Sequence, residues 1–249
     1  MLKTHALRAI IFDLDGTLVD SAEDIRAAVN SLFAEIGLRP ITAVEIRAMI
    51  GDGVPKLIER ALAAAHAMPM DNLDLVRRFL EIYQPNPARF TRPYPGVVET
   101  LTELKRRGVQ LALVTNKPVI ATKKILGALS MSGFFPVVVG GDSVPFRKPH
   151  PAPILEAVKR LGVQVDRCMM VGDNFHDVEA AHAAGMRCTA VTYGYHHRSP
   201  TEFGAEHLVD RFDQLLGLVQ TILPHNETIN NAVPTGAASS TSSKQESYP

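Results

Sequence analysis

The stretch Ile10-Ile11-Phe12-Asp13-Leu14-Asp15-Gly16-Thr17-Leu18-Val19-Asp20 decides how the rest of the chain is read, because an apolar run ends abruptly in two carboxylates one residue apart. The run predicts a buried strand that delivers acid groups at its C-terminal end. Residues two apart on an extended chain point to the same side, and Gly16 predicts that the extended geometry soon breaks. A turn after Leu14 would let Asp15 swing over the strand end with its carbonyl aimed at the same place. Oxygen ligands of this kind suit a hard cation such as Mg²⁺, which takes few carboxylates together with phosphate and water. Taken alone, the pair also fits a polar turn that merely follows a strand.

Downstream of Asp20 the pattern is helical. Ile25, Val29, Leu32, Phe33 and Ile36 recur at helical spacing over Ser21 to Gly37, with Ser21 as a candidate cap and Asp24 three residues on. Further helices are predicted over Thr42 to Met49, Val54 to Ala67 and Asp71 to Tyr83, ended by Pro85, Pro87, Pro93 and Pro95. No strand is predicted between Asp20 and Arg92, so this block reads as a helical insertion.

From Pro95 the pattern alternates: helix Val97 to Arg107, strand Val109 to Thr115, helix Val119 to Leu129, strand Phe135 to Val139. It continues with helix Ala152 to Leu161, strand Cys168 to Val171, helix Asp177 to Ala184, strand Arg187 to Thr192 and a short strand Glu206 to Val209. Alternation of this kind predicts an α/β fold, a Rossmann-like parallel sheet core with helices on both faces and an inserted α-helical domain. The corresponding domains are 1–17 with 93–224 for the α/β core and 18–92 for the helical insertion, which the family resemblance given below implies are a catalytic core and a cap. Residues 225–249 are polar and small, and read as a disordered tail.

The chain has 249 residues, enough to bury a substantial core. Lys plus Arg and Asp plus Glu both number 26, so no general attraction to nucleic acid or to an anionic membrane is implied. Cys168 and Cys188 lie in apolar segments, no export signal is evident, and no apolar run approaches the roughly 20 residues of a membrane span. A cytoplasmic setting is expected, and Asn226-Glu227-Thr228 is an accidental match to a glycosylation signal.

Ligands of open α/β sheets bind beyond the carboxyl ends of the strands. At one such end Thr115-Asn116-Lys117-Pro118 offers a hydroxyl, an amide and a helix start, which suits phosphate as well as ordinary helix capping. Lys148 lies in an inter-element loop, where it is either solvated or neutralises phosphate as a compact charge. At another end stand Asp173, able to reach a metal directly, and Asp177, which is a helix N-terminal carboxylate and a candidate support for Lys148 or the metal shell. His176, His182, His196 and His197 lack a tight ligand pattern, so a zinc reading is set aside. Arg47, Lys56 and the backbone of Gly51 to Gly53 are candidate selectors of the leaving group, and Arg47 and Lys56 read more simply as solvated helix charges.

Taken together, Asp13-x-Asp15-Gly16-Thr17, Thr115-Asn116, Lys148-Pro149 and Gly172-Asp173-x-x-x-Asp177 resemble the four motifs of the haloacid dehalogenase superfamily over roughly residues 8 to 210. The resemblance implies a sheet ordered around a central first strand and a mobile cap. Tyr94-Pro95-Gly96, Thr115-Asn116-Lys117-Pro118, Gly140-Gly141-Asp142-Ser143, Arg147-Lys148-Pro149-His150-Pro151, Thr192-Tyr193-Gly194-Tyr195 and the cap segment Ile50-Gly51-Asp52-Gly53 with Glu59-Arg60-Ala61-Leu62 are further similar to bacterial phosphoglycolate phosphatases, with Asp52 where asparagine is common. The resemblance implies Mg²⁺-dependent hydrolysis of a small phosphorylated metabolite, 2-phosphoglycolate, to glycolate and phosphate. In that scheme Asp13 attacks phosphorus, Asp15 protonates the leaving oxygen and then activates water, and Thr115, Asn116 and Lys148 offset phosphate charge. Asp13, Asp15 through its carbonyl, and Asp173 hold the metal, with Asp177 in support. Alternatives are a phosphatase of a sugar phosphate such as N-acetylmuramic acid 6-phosphate, a phosphomutase, and, from a different class, a receiver-like phospho-acceptor.

Overall fold

A computed structural model of the chain describes residues 7–67 and 72–222. The expected tail at 225–249 and the Asn226 signal lie outside the described residues. In chain order the elements are β1 (Ala9–Phe12), β2 (Val19–Asp20), α1 (Ala22–Glu35), α2 (Ala43–Arg47), α3 (Val54–Ala64), α4 (Asn72–Tyr83) and β3 (Arg92–Pro93). They continue as α5 (Val97–Arg106), β4 (Gln110–Val114), α6 (Val119–Ala128), β5 (Val137–Val139), α7 (Ala152–Leu161), β6 (Cys168–Gly172), α8 (Phe175–Ala183), β7 (Arg187–Val191), β8 (His207–Val209) and α9 (Leu215–Ile222).

The main sheet is six-stranded in the order β5-β4-β1-β6-β7-β8, and every pairing in it is parallel. The first strand is therefore central, flanked by the strands that carry Thr115 and Asp173. Strand alternation sorts the core into two layers. Ile10, Phe12, Leu111, Leu113, Met169 and Val171 pack on one face with α5 and α9, while Ala9, Ile11, Ala112, Val114, Cys168 and Met170 pack on the other with α7 and α8. Both faces are covered, which is why these strands read as continuous apolar runs. Cys168 and Cys188 are buried and unpaired.

The helical block forms its own apolar cluster from α1 to α4, including Ile25, Val29, Phe33, Ile58, Leu62 and Phe79, and meets the core through Ala121 and Tyr195. Its stem is a feature the sequence did not reveal. β2 and β3 pair antiparallel as a two-residue ribbon, with Val19 opposite Pro93 and Asp20 opposite Arg92. Two residues are too few to display any periodicity. Above the ribbon, Asp24 accepts from the backbone N–H groups of Phe90 and Thr91 and from Thr91 Oγ1, tying the first cap helix to the returning chain.

Several boundaries differ from the sequence reading for identifiable reasons. Ser21 does not cap α1 with its side chain. Its hydroxyl donates to Asp15 instead, and the Tyr195 hydroxyl accepts from the N–H groups of Ser21 and Ala22. β5 starts two residues later than expected because Pro136 has no N–H to give the ladder. α8 starts two residues earlier, at Phe175, because Asn174 and Asp177 form a reciprocal capping box. No described helix is long and apolar enough to cross a membrane.

Candidate active site

All the motif residues come from the carboxyl ends of β1, β4 and β6 and from the loop before α7. Asp13 continues the ladder one residue past β1, donating its N–H to Val171 O at 2.9 Å. Its side chain is buried, and Oδ1 accepts from Lys148 Nζ at 2.8 Å. The same ammonium donates to Val114 O at 2.7 Å and to Asp177 Oδ1 at 2.6 Å. Lys148 is thus no solvated loop lysine: it is 5% exposed and joins the ends of β1 and β4 to the first turn of α8. Burial pushes its ammonium toward deprotonation, but Asp13 and Asp177 override that and hold it charged.

Asp177 serves two partners. Oδ2 accepts from Asn174 N–H at 3.1 Å as the third residue of α8, and Oδ1 takes Lys148. Asp173 accepts from Thr17 Oγ1 at 3.0 Å and from Tyr195 N–H at 2.6 Å. Room for it depends on glycine. A Cβ on Gly16, which sits at φ +86°, or on Gly194 would run into the Asp173 carboxylate.

Three buried carboxylates, Asp13, Asp173 and Asp177, bring one oxygen each within 4.8 Å of one another. A single lysine cannot balance them. Burial, partly opposed by Lys148 and reinforced by Asp177 and Asp15, raises the Asp13 carboxyl to about 6. Asp173 is raised well above the usual carboxylate range by burial and then by its two acidic neighbours. An all-oxygen, charge-deficient cluster fits a hard divalent cation.

Asp15 is engaged elsewhere. Both its oxygens accept from Lys117 Nζ, at 3.0 and 2.9 Å, and Oδ1 also accepts from Ser21 Oγ. Its carboxylate is therefore not part of the acidic triad. Lys117, unassigned in the sequence reading, is as buried as the motif residues, 7% exposed, with its ammonium 4.9 Å from the centre of the Tyr83 ring.

Thr115 lies on the cavity wall next to Asp13. Asn116 is a brace: its amide nitrogen donates to Lys148 O and, across the cleft, to Gly51 O, both at 3.0 Å, while Oδ1 accepts from Lys148 N–H. Its side-chain hydrogen bonds are thus spent on holding the lysine loop and the cap.

The loop Ile50-Gly51-Asp52-Gly53 descends onto the core at this point. Asp52 meets His176 Nε2 at 2.8 Å, and Arg60 contacts its Oδ2 as an ion pair without an aligned hydrogen bond. His197 Nε2 lies 3.1 Å from Ile50 O and 3.8 Å from Asp52 Oδ2. Burial alone would push the Asp52 carboxyl up, but His176 and Arg60 outweigh it and bring it down to about 2. Two of the four histidines set aside in the sequence therefore hold the cap loop. Nothing local could have found them, since their partner sits in a distant loop. Of the two cap cations, Arg47 pairs with Asp20 at 2.6 Å and lies over the Tyr195 ring, and Lys56 pairs with Glu59 on the surface.

Residues 10–191 match the family model of haloacid dehalogenase-like hydrolases. The chain is 42% identical over 212 residues to phosphoglycolate phosphatase 1 of Pseudomonas aeruginosa, covering 83% of this chain and 77% of that protein. It is 41% identical over 216 residues to a phosphoglycolate phosphatase of Cereibacter sphaeroides, covering 86% and 98%. Among solved structures, a crystal structure of a predicted phosphoglycolate phosphatase from Haemophilus somnus superposes with a TM-score of 0.82 at 33% identity, covering 88% of this chain and all of that one.

Proposed function

The chain belongs to the haloacid dehalogenase-like hydrolases and is a phosphatase, and from that premise we propose that it hydrolyses 2-phosphoglycolate to glycolate and phosphate through an aspartyl phosphate on Asp13. The observation that carries the reading is the convergence of Asp13, Lys148, Asp173 and Asp177 at the ends of adjacent parallel strands, beneath a cap loop that closes over them. The substrate assignment is supported by relatives named phosphoglycolate phosphatase at 41–43% identity. In this reading residues 18–92 act as the cap and 1–17 with 93–224 as the core.

Uncatalysed hydrolysis of phosphate monoesters is among the slowest reactions, so positioning and charge neutralisation carry most of the acceleration. With Oδ1 of Asp13 held by Lys148, Oδ2 is the oxygen we assign to attack phosphorus, replacing one displacement by two easier ones. Lys148 offsets negative charge on the phosphoryl oxygens, and Thr115 contributes a hydroxyl from the neighbouring strand end. Asp15 delivers the proton to the leaving oxygen and takes one from water in the second half-reaction, held in place by Lys117. Asp13, Asp173 and the Asp15 carbonyl would hold Mg²⁺, which would supply charge neutralisation at the phosphate. The cap loop excludes water while the first displacement proceeds.

The test is steady-state phosphate release from 2-phosphoglycolate, a panel of sugar phosphates and an aryl phosphate, with Mg²⁺ or a chelator. A preference for 2-phosphoglycolate in kcat/KM that vanishes with chelator and in Asp13→Asn is the expected result. Metal-dependent turnover that favours a sugar phosphate overturns the substrate assignment and leaves the chemistry in place.

A further inference from the structure

A cavity runs from Asp13 and Thr115 into the cap, and its far wall is apolar: Ile50, Val54, Leu57 and Phe79 line it together with the face of Tyr83. Such a wall has little to offer a charged or heavily hydroxylated leaving group. Among the described residues lining this cavity, Lys117 is the one cation. Lys148 sits instead in the adjoining recess with Asp173 and Asp177. The two lysines thus divide the space between them, one at the acidic triad and one in the apolar chamber against Tyr83.

The Lys117 backbone is fixed at both ends. Its N–H donates to Thr115 Oγ1 at 3.3 Å, and its carbonyl accepts from Gly141 N–H at 2.9 Å. The side chain reaches past Tyr83 to Asp15, spending two hydrogen bonds on that carboxylate. An ammonium carries three donors. Burying it against aromatic and aliphatic walls costs desolvation that Asp15 offsets. Yet a pair that served only to stabilise the fold would gain nothing from lining the reaction chamber.

We propose that Lys117 is the specificity-determining cation of this phosphatase, binding the carboxylate of the leaving group while Lys148 serves the phosphate. The assignment rests on the 2-phosphoglycolate reading, whose leaving group carries a carboxylate two carbons from the bridging oxygen. A charge-assisted bond to a carboxylate in this largely apolar chamber is strong and short-ranged. The apolar wall then rejects leaving groups too bulky or polar to fit behind it.

The experiment uses substrate pairs that differ only in the carboxylate: 2-phosphoglycolate against 2-hydroxyethyl phosphate, and 3-phosphoglycerate against glycerol 3-phosphate. Each is measured as kcat/KM on the wild-type protein, Lys117→Gln and Lys117→Arg. In Lys117→Gln the carboxylated member of the first pair is expected to lose about 10- to 100-fold more than its neutral partner, the size of a hydrogen bond to a charged group, with partial recovery in Lys117→Arg. An equal loss on both members means that Lys117 acts only through Asp15 and overturns the proposal. A wild-type protein with no preference for the carboxylated member of either pair overturns it as well, whether or not the variants fold. Wild-type turnover favouring a sugar phosphate over 2-phosphoglycolate overturns the substrate reading instead, and the pair ratios still decide the role of Lys117.

Discussion

Two acidic centres face each other across the cleft, and they are built to opposite charge balances. At the strand ends Asp13, Asp173 and Asp177 share one lysine, and the deficit shows in carboxyls pushed upward, Asp13 to about 6. On the cap loop the single carboxylate of Asp52 meets Arg60 and His176, and these two partners bring its carboxyl down to about 2. A cluster short of positive charge is poised to accept a cation and an attacking role. A carboxylate held down by partners on another segment is committed to them, and its work is to hold two surfaces together.

The sharpest way to break this contrast is Asp13→Asn, which keeps shape and removes the nucleophile. Turnover is expected to fall on the order of 10⁴-fold or more, measured by phosphate release. Equal activity in the variant would remove Asp13 from the chemistry.

Lys148→Met comes next, since it strands two buried carboxylates without their shared partner. Such removals cost about 3–5 kcal/mol, so the melting temperature should drop by roughly 10 °C. Calorimetry of the variant that shows no loss would mean that the acidic centre is not charge-limited. Addition of Mg²⁺ to chelator-treated wild-type protein should act in the opposite sense, stabilising by about 2.7 kcal/mol at a hundredfold excess over its Kd. Asp173→Asn should lose most of that gain in the same thermal assay.

Asp52→Asn probes the other pole. Its expected signature is a rise in KM of about tenfold with a smaller change in kcat, because a hydrogen-bonded ion pair across the cleft is lost while the acidic triad stays intact. The sign with pH follows from a carboxyl depressed from 3.8 to about 2: the pair's contribution is present above 3.8 and fades as pH falls toward about 2. Thermal melts of wild type and variant should therefore differ at pH 5 and converge near pH 2. The smallest effect belongs to Thr42→Ala, which opens the capping box of α2 far from the cleft. About 1 kcal/mol of stability should go, with kcat unchanged. A change in kcat there would mean that cap stability and chemistry are coupled more tightly than the two poles suggest.

The sheet and the acidic pole were legible because their signals are local. β1 announces itself as an apolar run, and Asp13, Lys148, Asp173 and Asp177 each sit at a strand end or loop whose type the flanking residues declare. The joint occurrence of these ends then outweighs any one of them. The cap pole was not legible, since Asp52, His176 and His197 lie on three segments that only the folded chain brings together. The same holds for Tyr195, whose hydroxyl replaces Ser21 as the cap of α1. Lys117 stood in plain view beside Thr115 and Asn116, but a lysine at a helix start carries no local mark of burial. Asn116 was read as a phosphate donor, whereas its hydrogen bonds go to the lysine loop and to Gly51.

The two-residue ribbon of β2 and β3 has a consequence for how such a molecule can change over evolutionary time. Paired strands run about 5 Å apart, so the points at which the chain departs for the helical block and comes home again are next-door neighbours. The covalent chain therefore leaves and re-enters the core at one address, while Asn116, His176 and His197 make the further contacts to the cap loop. A foreign segment of any length whose own termini meet can be grafted there without altering the register of a single core strand. In the proposed reading the acidic cluster and Lys117 stay with the core, and the inserted block contributes the apolar wall of the chamber.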